Sequence, residues 1–166
     1  EDGRLMGFEE KPEQPKSENA SLGIYVISRT LLINLLEQAI PEGKYDLVKD
    51  IIIRFIPTLK IYGYEYNGYW NSVGAGTAAY FAANMDFLNK EVRDHFVSEY
   101  PYIATKPKDE PPAKFNRGAD VKDTITGSGS IFDGKVEHCV VFRKVRVGVG
   151  AVVKNSILME GVQIGE

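Results

Sequence analysis

The chain has 166 residues, of which 43% are hydrophobic and 26% are charged, and its formal net charge at pH 7 is −3. This length suits one domain or two small ones, the apolar content excludes a disordered tail, and the mild acidity argues against a nucleic-acid partner. The single cysteine excludes a disulfide framework and no apolar run reaches membrane-spanning length, so we expect a cytoplasmic protein with no membrane partner.

The first residues place acids and bases beside a predicted turn. The sequence opens on Glu1 and not on methionine, so we expect a piece of a longer protein. In residues 8–12 (FEEKP), Glu10 and Lys11 follow what reads as a strand end. A lysine at such a turn can hold a phosphate, and a carboxylate can bind sugar hydroxyls. From these residues alone, however, a solvated charged turn is the better interpretation.

Residues 22–27 (LGIYVI) form a continuous apolar run, which predicts a strand buried in a sheet. Ser21 places a small hydroxyl at the entry of this strand, and Gly23 allows a ligand to approach the backbone closely. A tightly packed core strand explains the same residues equally well, so the run by itself does not establish a binding site.

Two amphipathic helices are predicted next. Ser28 can cap a helix over residues 29–40, where apolar side chains recur every three to four positions until Pro41. Asp46 can cap a second helix, whose apolar positions continue until Pro57. Together with the strand before them, these helices indicate a mixed α/β arrangement for the first part of the chain.

A hairpin and a third helix are predicted after these. Residues 59–66 and 69–73 are strand-like, and Asn67-Gly68 between them is the strongest two-residue hairpin signal. The third helix is predicted over about residues 77–89, with its large apolar side chains on one face.

Residues 101–117 are predicted to form an extended linker, because they hold four of the eight prolines and proline fixes φ and interrupts helices. We therefore expect two domains, one over residues 1–100 and one over residues 118–166, with the second incomplete at its end.

The last third of the chain has a six-residue period. Its aliphatic residues recur at intervals of about six, with a few five-residue steps, at Ile125, Ile131, Val136, Val141, Val147, Val153, Met159 and Ile164. Such a period fits neither strand alternation nor a helix, and it predicts a prism-shaped coil of short parallel strands with these side chains pointing inward. Cys139 is interpreted as a small apolar filler of this core. A valine-rich β-sandwich is the alternative.

Metal and nucleophile sites are not predicted. His95 and His138 have no partner at metal-ligand spacing, and neither forms a recognisable Cys/His catalytic pair. The glycine-rich stretch 127–130 lacks the lysine and the helix that follow a phosphate-binding loop. We expect no bound metal and no catalytic residue in this chain.

Five motifs stand in order along the chain: FEEKP at 8–12, ASLGIY at 20–25, DLVKD at 46–50, GYW at 68–70 and ANMDFLN at 83–89. Followed by a linker and a hexapeptide repeat, they resemble the second half of bacterial glucose-1-phosphate adenylyltransferase (ADP-glucose pyrophosphorylase). The resemblance implies the α/β portion of a Rossmann-like nucleotidyltransferase domain, followed by a left-handed parallel β-helix. The left hand comes from the family and not from the spacing.

The resemblance also implies an activity, the conversion of ATP and glucose 1-phosphate to ADP-glucose and pyrophosphate in glycogen biosynthesis. Glu10 and Lys11 would contact glucose 1-phosphate, while Ser21 and Gly23 would line the glucose pocket. The complete enzyme would use Mg²⁺. The nucleotide-binding loop and the first metal-binding aspartate would lie in a preceding part of the protein.

One position departs from the family pattern. Catalytic members read Tyr-Trp-x-Asp-Val-Gly-Thr, and here Ser72 stands where the metal-binding aspartate is expected. Mg²⁺ prefers anionic oxygen ligands, and a neutral hydroxyl does not supply that charge. The sequence therefore resembles most closely the non-catalytic, regulatory D-type subunit of two-subunit enzymes, and whether the protein is an enzyme stays open.

The partners follow from the same resemblance. We expect a catalytic glucose-1-phosphate adenylyltransferase subunit as partner in a homo- or hetero-oligomer, by family a tetramer. Two alternatives remain. A hexapeptide-repeat acyltransferase would need a catalytic histidine, for which His138 is the only candidate. A pure oligomer-assembly module would need none.

Overall fold

The computed structural model describes residues 3–98 and 103–166. Two compact units divide the chain, the first ending at Tyr66 and the second beginning at Asn67. The predicted domain limits at 1–100, 101–117 and 118–166 stay a prediction, and residues 101 and 102 of the linker lie outside the described residues.

The first unit contains the predicted helix α1, Arg29–Ala39. The Ser28 hydroxyl caps it by accepting a hydrogen bond from the Leu31 backbone N–H at 3.2 Å, which confirms the predicted start. A short 3₁₀ turn, Ile40–Glu42, follows the helix and carries the terminating proline.

The second predicted helix is present as a π-helix, Leu47–Ile53. The Asp46 carboxylate caps it by accepting from the backbone N–H groups of Val48 and Lys49 at 2.9 and 2.8 Å. Apolar packing joins the two helices in a small core of Leu35, Ala39 and Ile51, bordered by Leu31, Leu36, Phe55 and Leu59.

The buried strand predicted at residues 22–27 is wrong. This segment lies outside every strand of the described chain, and its side chains are exposed, Val26 completely so at 101%. A strand buried on both faces needs neighbouring strands and covering helices, and the described residues place no strand beside this segment.

The hairpin predicted around Asn67-Gly68 is also wrong. Within residues 59–66, Tyr62 makes an isolated antiparallel bridge with Arg4. The Leu5 N–H donates to the Ile61 carbonyl at 2.8 Å, and the Gly63 N–H donates to the Gly3 carbonyl at 2.9 Å. These bonds to a distant segment replace the local pairing that the turn sequence favours.

The second unit begins with helices in the region predicted as one helix over 77–89. Helix α2 is Thr77–Met85, a 3₁₀ turn covers Asp86–Leu88, and helix α3 is Lys90–Val97. The break lies at Asn89, whose side-chain oxygen accepts from the Glu91 backbone N–H at 2.9 Å and so caps α3.

The rest of this unit is the predicted parallel β-helix. Its strands are β1 Lys114–Phe115, β2 Asp120–Thr126, β3 Ile131–Phe132, β4 Lys135–Val141, β5 Arg146–Val147, β6 Val152–Leu158 and β7 Gln163–Ile164. All pairings are parallel, in the orders β1-β3-β5-β7 and β2-β4-β6. This parallel winding is consistent with the left-handed β-helix that the family resemblance implies.

The coils are shorter than three full hexapeptides. Lys114 aligns with Ile131, Ile131 with Arg146 and Arg146 with Gln163, so successive coils take 17, 15 and 17 residues. Tight coils need glycine at close approaches: a Cβ on Gly134 would lie 2.5 Å from two backbone carbonyl oxygens.

The β-helix core confirms several predicted inward positions. Val136, Val141 and Val147 are fully or almost fully buried, and so is Cys139, which fills space as predicted. The predicted inward position of Met159 is wrong, because its side chain is 53% exposed and the neighbouring Leu158 is buried in its place. The short coils shift the repeat by one residue there, and a one-residue shift exchanges inward and outward positions.

The proline-rich connector runs without helix through its described residues and is fixed to three coils of the β-helix. The Gly129 N–H donates to the Pro111 carbonyl at 2.6 Å. Glu110 pairs with Lys144 at 2.9 Å, and Lys108 pairs with Glu160 at 3.8 Å.

None of the described helices combines the length and apolar content needed to cross a bilayer.

Candidate functional site

Glu10 and Lys11 lie on a tight turn of the first unit. Lys11 adopts a left-handed backbone conformation with φ of 48°, and its side chain is 90% exposed. Its ammonium lies 3.6 Å from the Glu10 carboxylate, which is largely covered. The pKa of Asp46 lies below its usual range, mainly because its carboxylate accepts a hydrogen bond from the Lys49 backbone N–H. The positive charge of Lys11 lowers this pKa further. Lys11 is therefore an accessible cation that can meet an anionic ligand.

Ser21 and Gly23 share a second turn of the same unit. The Ser21 hydroxyl accepts from the Gly23 backbone N–H at 3.2 Å and lies 3.1 Å from the Tyr25 hydroxyl. Gly23 has a φ of 72°, which favours glycine, and the space where a Cβ would stand is open to 4 Å. An open approach to this backbone suits a ligand, while the joint pocket with Glu10 and Lys11 stays a prediction.

Ser72 lies in the second unit on extended backbone, with φ of −101° and ψ of 100°, immediately before a 3₁₀ turn, Val73–Ala75. Its side chain is exposed and offers one neutral oxygen. Within residues 3–98 and 103–166, no three His, Cys, Asp or Glu side chains come together as a metal site. The donors present at position 72 thus do not fit Mg²⁺, which needs carboxylate oxygens.

Sequence reasoning missed a polar cluster beside Ser72. The Tyr69 hydroxyl donates to the Asp86 carboxylate at 2.7 Å, and the Asn71 amide donates to the same Asp86 oxygen at 3.2 Å. Burial is the main cause that raises the pKa of Tyr69; the hydrogen bond from Asn71 lowers it, and the hydrogen bond to Asp86 and the negative charge of Asp86 raise it. Tyr69 and Asp86 stood in recognised motifs, GYW and ANMDFLN, but no local pattern indicated that they touch.

An apolar cleft of about 400 Å³ lies within the second unit, between α2 and one corner of the β-helix. Phe87 contributes to one wall, and Ile125, Val140 and Phe142 contribute to the other. Arg143 also lines it, paired with Glu160 at 3.0 Å.

His138 lies on an outer corner of the β-helix. Asp123, His138 and Asn155 occupy equivalent positions of three coils, all with φ between 42° and 53°. Aspartate, asparagine and histidine occur in the left-handed region more often than most other residues. The His138 Nδ1 lies 2.5 Å from the Asp123 carboxylate, which orients the imidazole with its other nitrogen away from the acid.

Comparison with known proteins agrees with this architecture. Residues 1–90 match the sequence model of the nucleotidyl transferase family, and residues 111–166 match that of the GlmU-like C-terminal hexapeptide. A glucose-1-phosphate adenylyltransferase of Clostridium perfringens (strain SM101 / Type A) is 38% identical over 169 residues. The enzyme of the same name from Bacillus cytotoxicus is 34% identical over 173 residues, and that of Bacillus cereus (strain ATCC 14579) is 32% identical over 169 residues.

These alignments cover 99%, 100% and 100% of this chain, but only 43%, 45% and 45% of the respective relatives. The chain therefore spans less than half the length of the curated relatives that it matches.

Proposed function

Because the chain belongs to the nucleotidyl transferase family, we propose that it forms part of a glucose-1-phosphate adenylyltransferase. Such an enzyme joins ATP and glucose 1-phosphate into ADP-glucose with release of pyrophosphate, a reaction of glycogen biosynthesis. The relatives of that name support the proposal, because they align with essentially the whole chain at 32–38% identity. The β-helix after the α/β motifs gives further support, since its residues match a hexapeptide domain in the expected order.

We propose further that the subunit is regulatory and has impaired catalysis. One observation carries this proposal: Ser72, a neutral and exposed side chain, stands at the position where the family pattern has a metal-binding aspartate. A carboxylate there would share the positive charge of Mg²⁺, whereas a hydroxyl leaves that charge uncompensated. The Mg²⁺ of the assembled enzyme would then be held by a catalytic subunit.

Glucose 1-phosphate is the ligand we propose for the first unit. Lys11 would attract the phosphate as an exposed point charge, and the Glu10 carboxylate would accept hydrogen bonds from sugar hydroxyls. Ser21 and the open backbone of Gly23 would line the glucose pocket. Binding without turnover is consistent with a regulatory role, because a ligand held by one subunit can bias the assembly.

The partner we propose is a catalytic glucose-1-phosphate adenylyltransferase subunit, in a cytoplasmic hetero-oligomer of tetrameric size. The test is to express the full-length protein that carries this chain alone, and together with a catalytic subunit, and to measure ADP-glucose formation. We expect little turnover alone and a higher turnover of the catalytic subunit in the mixture. Substantial turnover by the protein alone would overturn the regulatory role.

The pair of His138 and Asp123 favours one second candidate, acyl transfer by the β-helix. A carboxylate at Nδ1 orients a histidine so that Nε2 can take a proton from an acceptor hydroxyl or amine. This candidate predicts that acetyl-coenzyme A raises the melting temperature of the chain, and that His138→Gln loses acetyl transfer. A pure assembly module predicts neither effect, and only a concentration-dependent mass in solution.

A further inference from the structure

Asp86 accepts hydrogen bonds from two side chains, Tyr69 and Asn71, which are separated by one residue. A single oxygen of its carboxylate, Oδ2, accepts from the Tyr69 hydroxyl at 2.7 Å and from the Asn71 amide at 3.2 Å. Tyr69 and Asp86 are partly buried. Because Tyr69 and Asn71 both donate, residue 86 must supply an acceptor, and an ionised carboxylate strengthens both hydrogen bonds.

This arrangement determines how the segment is held. Tyr69 and Asn71 reach the same Asp86 oxygen, so both side chains turn to the same side of the segment. Tyr69 is partly buried, whereas Trp70 is 57% exposed and Asn71 and Ser72 are exposed as well. Fixing residues 69 and 71 on Asp86 therefore holds the backbone immediately before position 72, whose side chain is exposed.

Ring contacts hold Tyr69 and the residue that follows Asp86. The Tyr69 ring meets Phe96 edge to face, with 5.6 Å between centroids, and Phe96 contacts Phe87 at 5.2 Å. Phe87 follows Asp86 in the 3₁₀ turn Asp86–Leu88, which packs on β2 and β4 of the β-helix. Phe87 and Val140 also line the same cleft. The segment 69–72 is thus connected to the β-helix through one short, packed turn.

We propose that Asp86 is a positioning residue that fixes the segment 69–72, so that position 72 faces outward, and that the Asp86–Leu88 turn connects this segment to the β-helix. We call the hydrogen bonds of Asp86 to Tyr69 and Asn71 the clamp. The role of position 72 in metal binding rests on the proposed function, but the clamp itself does not. If Asp86 only stabilised the fold, its loss would lower the stability of the protein but would leave the local motion of residues 69–72 unchanged.

Trp70 gives a direct measurement, because it is the only tryptophan of the chain and lies between the two clamped residues. In time-resolved anisotropy of Trp70, we expect Asp86→Ala to increase the amplitude of the fast local motion about twofold. Tyr69→Phe, which removes only one hydroxyl, should give a smaller increase. Asp86→Asn should lie between wild type and Asp86→Ala, because an amide keeps one carbonyl acceptor.

The matched control is Asp94→Ala, which removes a carboxylate of α3 that pairs with Lys90. It should leave the Trp70 motion at the wild-type value. Unchanged Trp70 motion in a folded Asp86→Ala protein, or an equal increase in Asp94→Ala, would overturn the clamp. If Asp86→Ala does not fold by circular dichroism, Tyr69→Phe decides, because unchanged motion in that variant overturns the clamp equally.

The connection to the β-helix has its own pair of variants. Val140→Ala removes a nearly buried side chain of the cleft wall and should increase the Trp70 motion, whereas Val152→Ala on an exposed position of β6 should not. Equal Trp70 motion in both variants overturns the connection. Because no substrate enters these measurements, an ordered clamp together with full turnover of the protein alone would overturn the proposed function and leave the clamp standing.

Discussion

The two terminal nitrogens of Arg54 donate to the two carboxylate oxygens of Glu42 at 3.0 and 3.1 Å, which ties the π-helix region to the turn after α1. This bidentate geometry fixes both planar groups in one orientation. Lys44 adds a second contact to the same carboxylate at 2.5 Å.

This pair predicts a specific dependence of stability on acid pH. The hydrogen bonds from Arg54 and then Lys44 lower the pKa of Glu42 from 4.5 to about 2. A depressed pKa means that the stabilisation is present above pH 4.5 and is lost as the pH falls through about 2. Urea unfolding should therefore show Glu42→Gln destabilised at pH 6, with the difference from wild type disappearing towards pH 2. The exposed Glu37→Gln of α1 is the control, and a pH-independent difference for Glu42→Gln would contradict the assignment.

The cap of the π-helix gives a second prediction. Asp46 accepts from two backbone N–H groups, so Asp46→Ala leaves both without their partner. We expect the free energy of unfolding to fall, because both N–H groups lose the acceptor that caps the helix. Asp46→Asn should remain near wild type, because asparagine caps almost as well. A loss in Asp46→Asn as large as in Asp46→Ala would show that the charge, and not the cap, carries the effect.

The β-helix core gives a third prediction, with a natural control two residues away. Val147 is completely buried and Val149 is 63% exposed on a corner. We expect Val147→Ala to lower the free energy of unfolding by about 2 kcal/mol, because it leaves a cavity that the short coils cannot close. Val149→Ala should change it by less than about 0.5 kcal/mol. Equal losses in urea denaturation would contradict the inward assignment of the repeat.

Position 72 gives a fourth prediction, on the full-length protein. Ser72→Asp restores a carboxylate where the family pattern has one, and metal-ligand charge is worth several kcal/mol in such reactions. We expect turnover of the protein alone to rise at least about tenfold. Ser72→Asn matches the size without the charge and should give no rise. An equal rise in both variants would contradict the account, because the charge would then not be the missing element.

Local signals predicted the helices of this chain well. Ser28 and Asp46 cap the helices that their sequence positions indicated, since capping depends on residues only three positions apart. The β-helix was predictable because its period repeats over many residues, although its 17- and 15-residue coils moved Leu158 inward in place of Met159.

Features that depend on distant residues were not predictable from these signals. The run at residues 22–27 has the composition of a buried strand, but a composition does not specify the neighbours that would cover it. The pairing of Tyr62 with Arg4 and the contact of Tyr69 with Asp86 join residues far apart in sequence. No periodicity or turn signal encodes such contacts, so the clamp beside Ser72 emerged only from the structure.

The proposed regulatory role is tested by ADP-glucose formation of the full-length protein, measured alone and with a catalytic subunit at equal total protein. A regulatory subunit should form little or no product alone, and the mixture should turn over faster than the catalytic subunit alone. Rapid formation of ADP-glucose by the protein alone, or a mixture no faster than the catalytic subunit, would contradict the account.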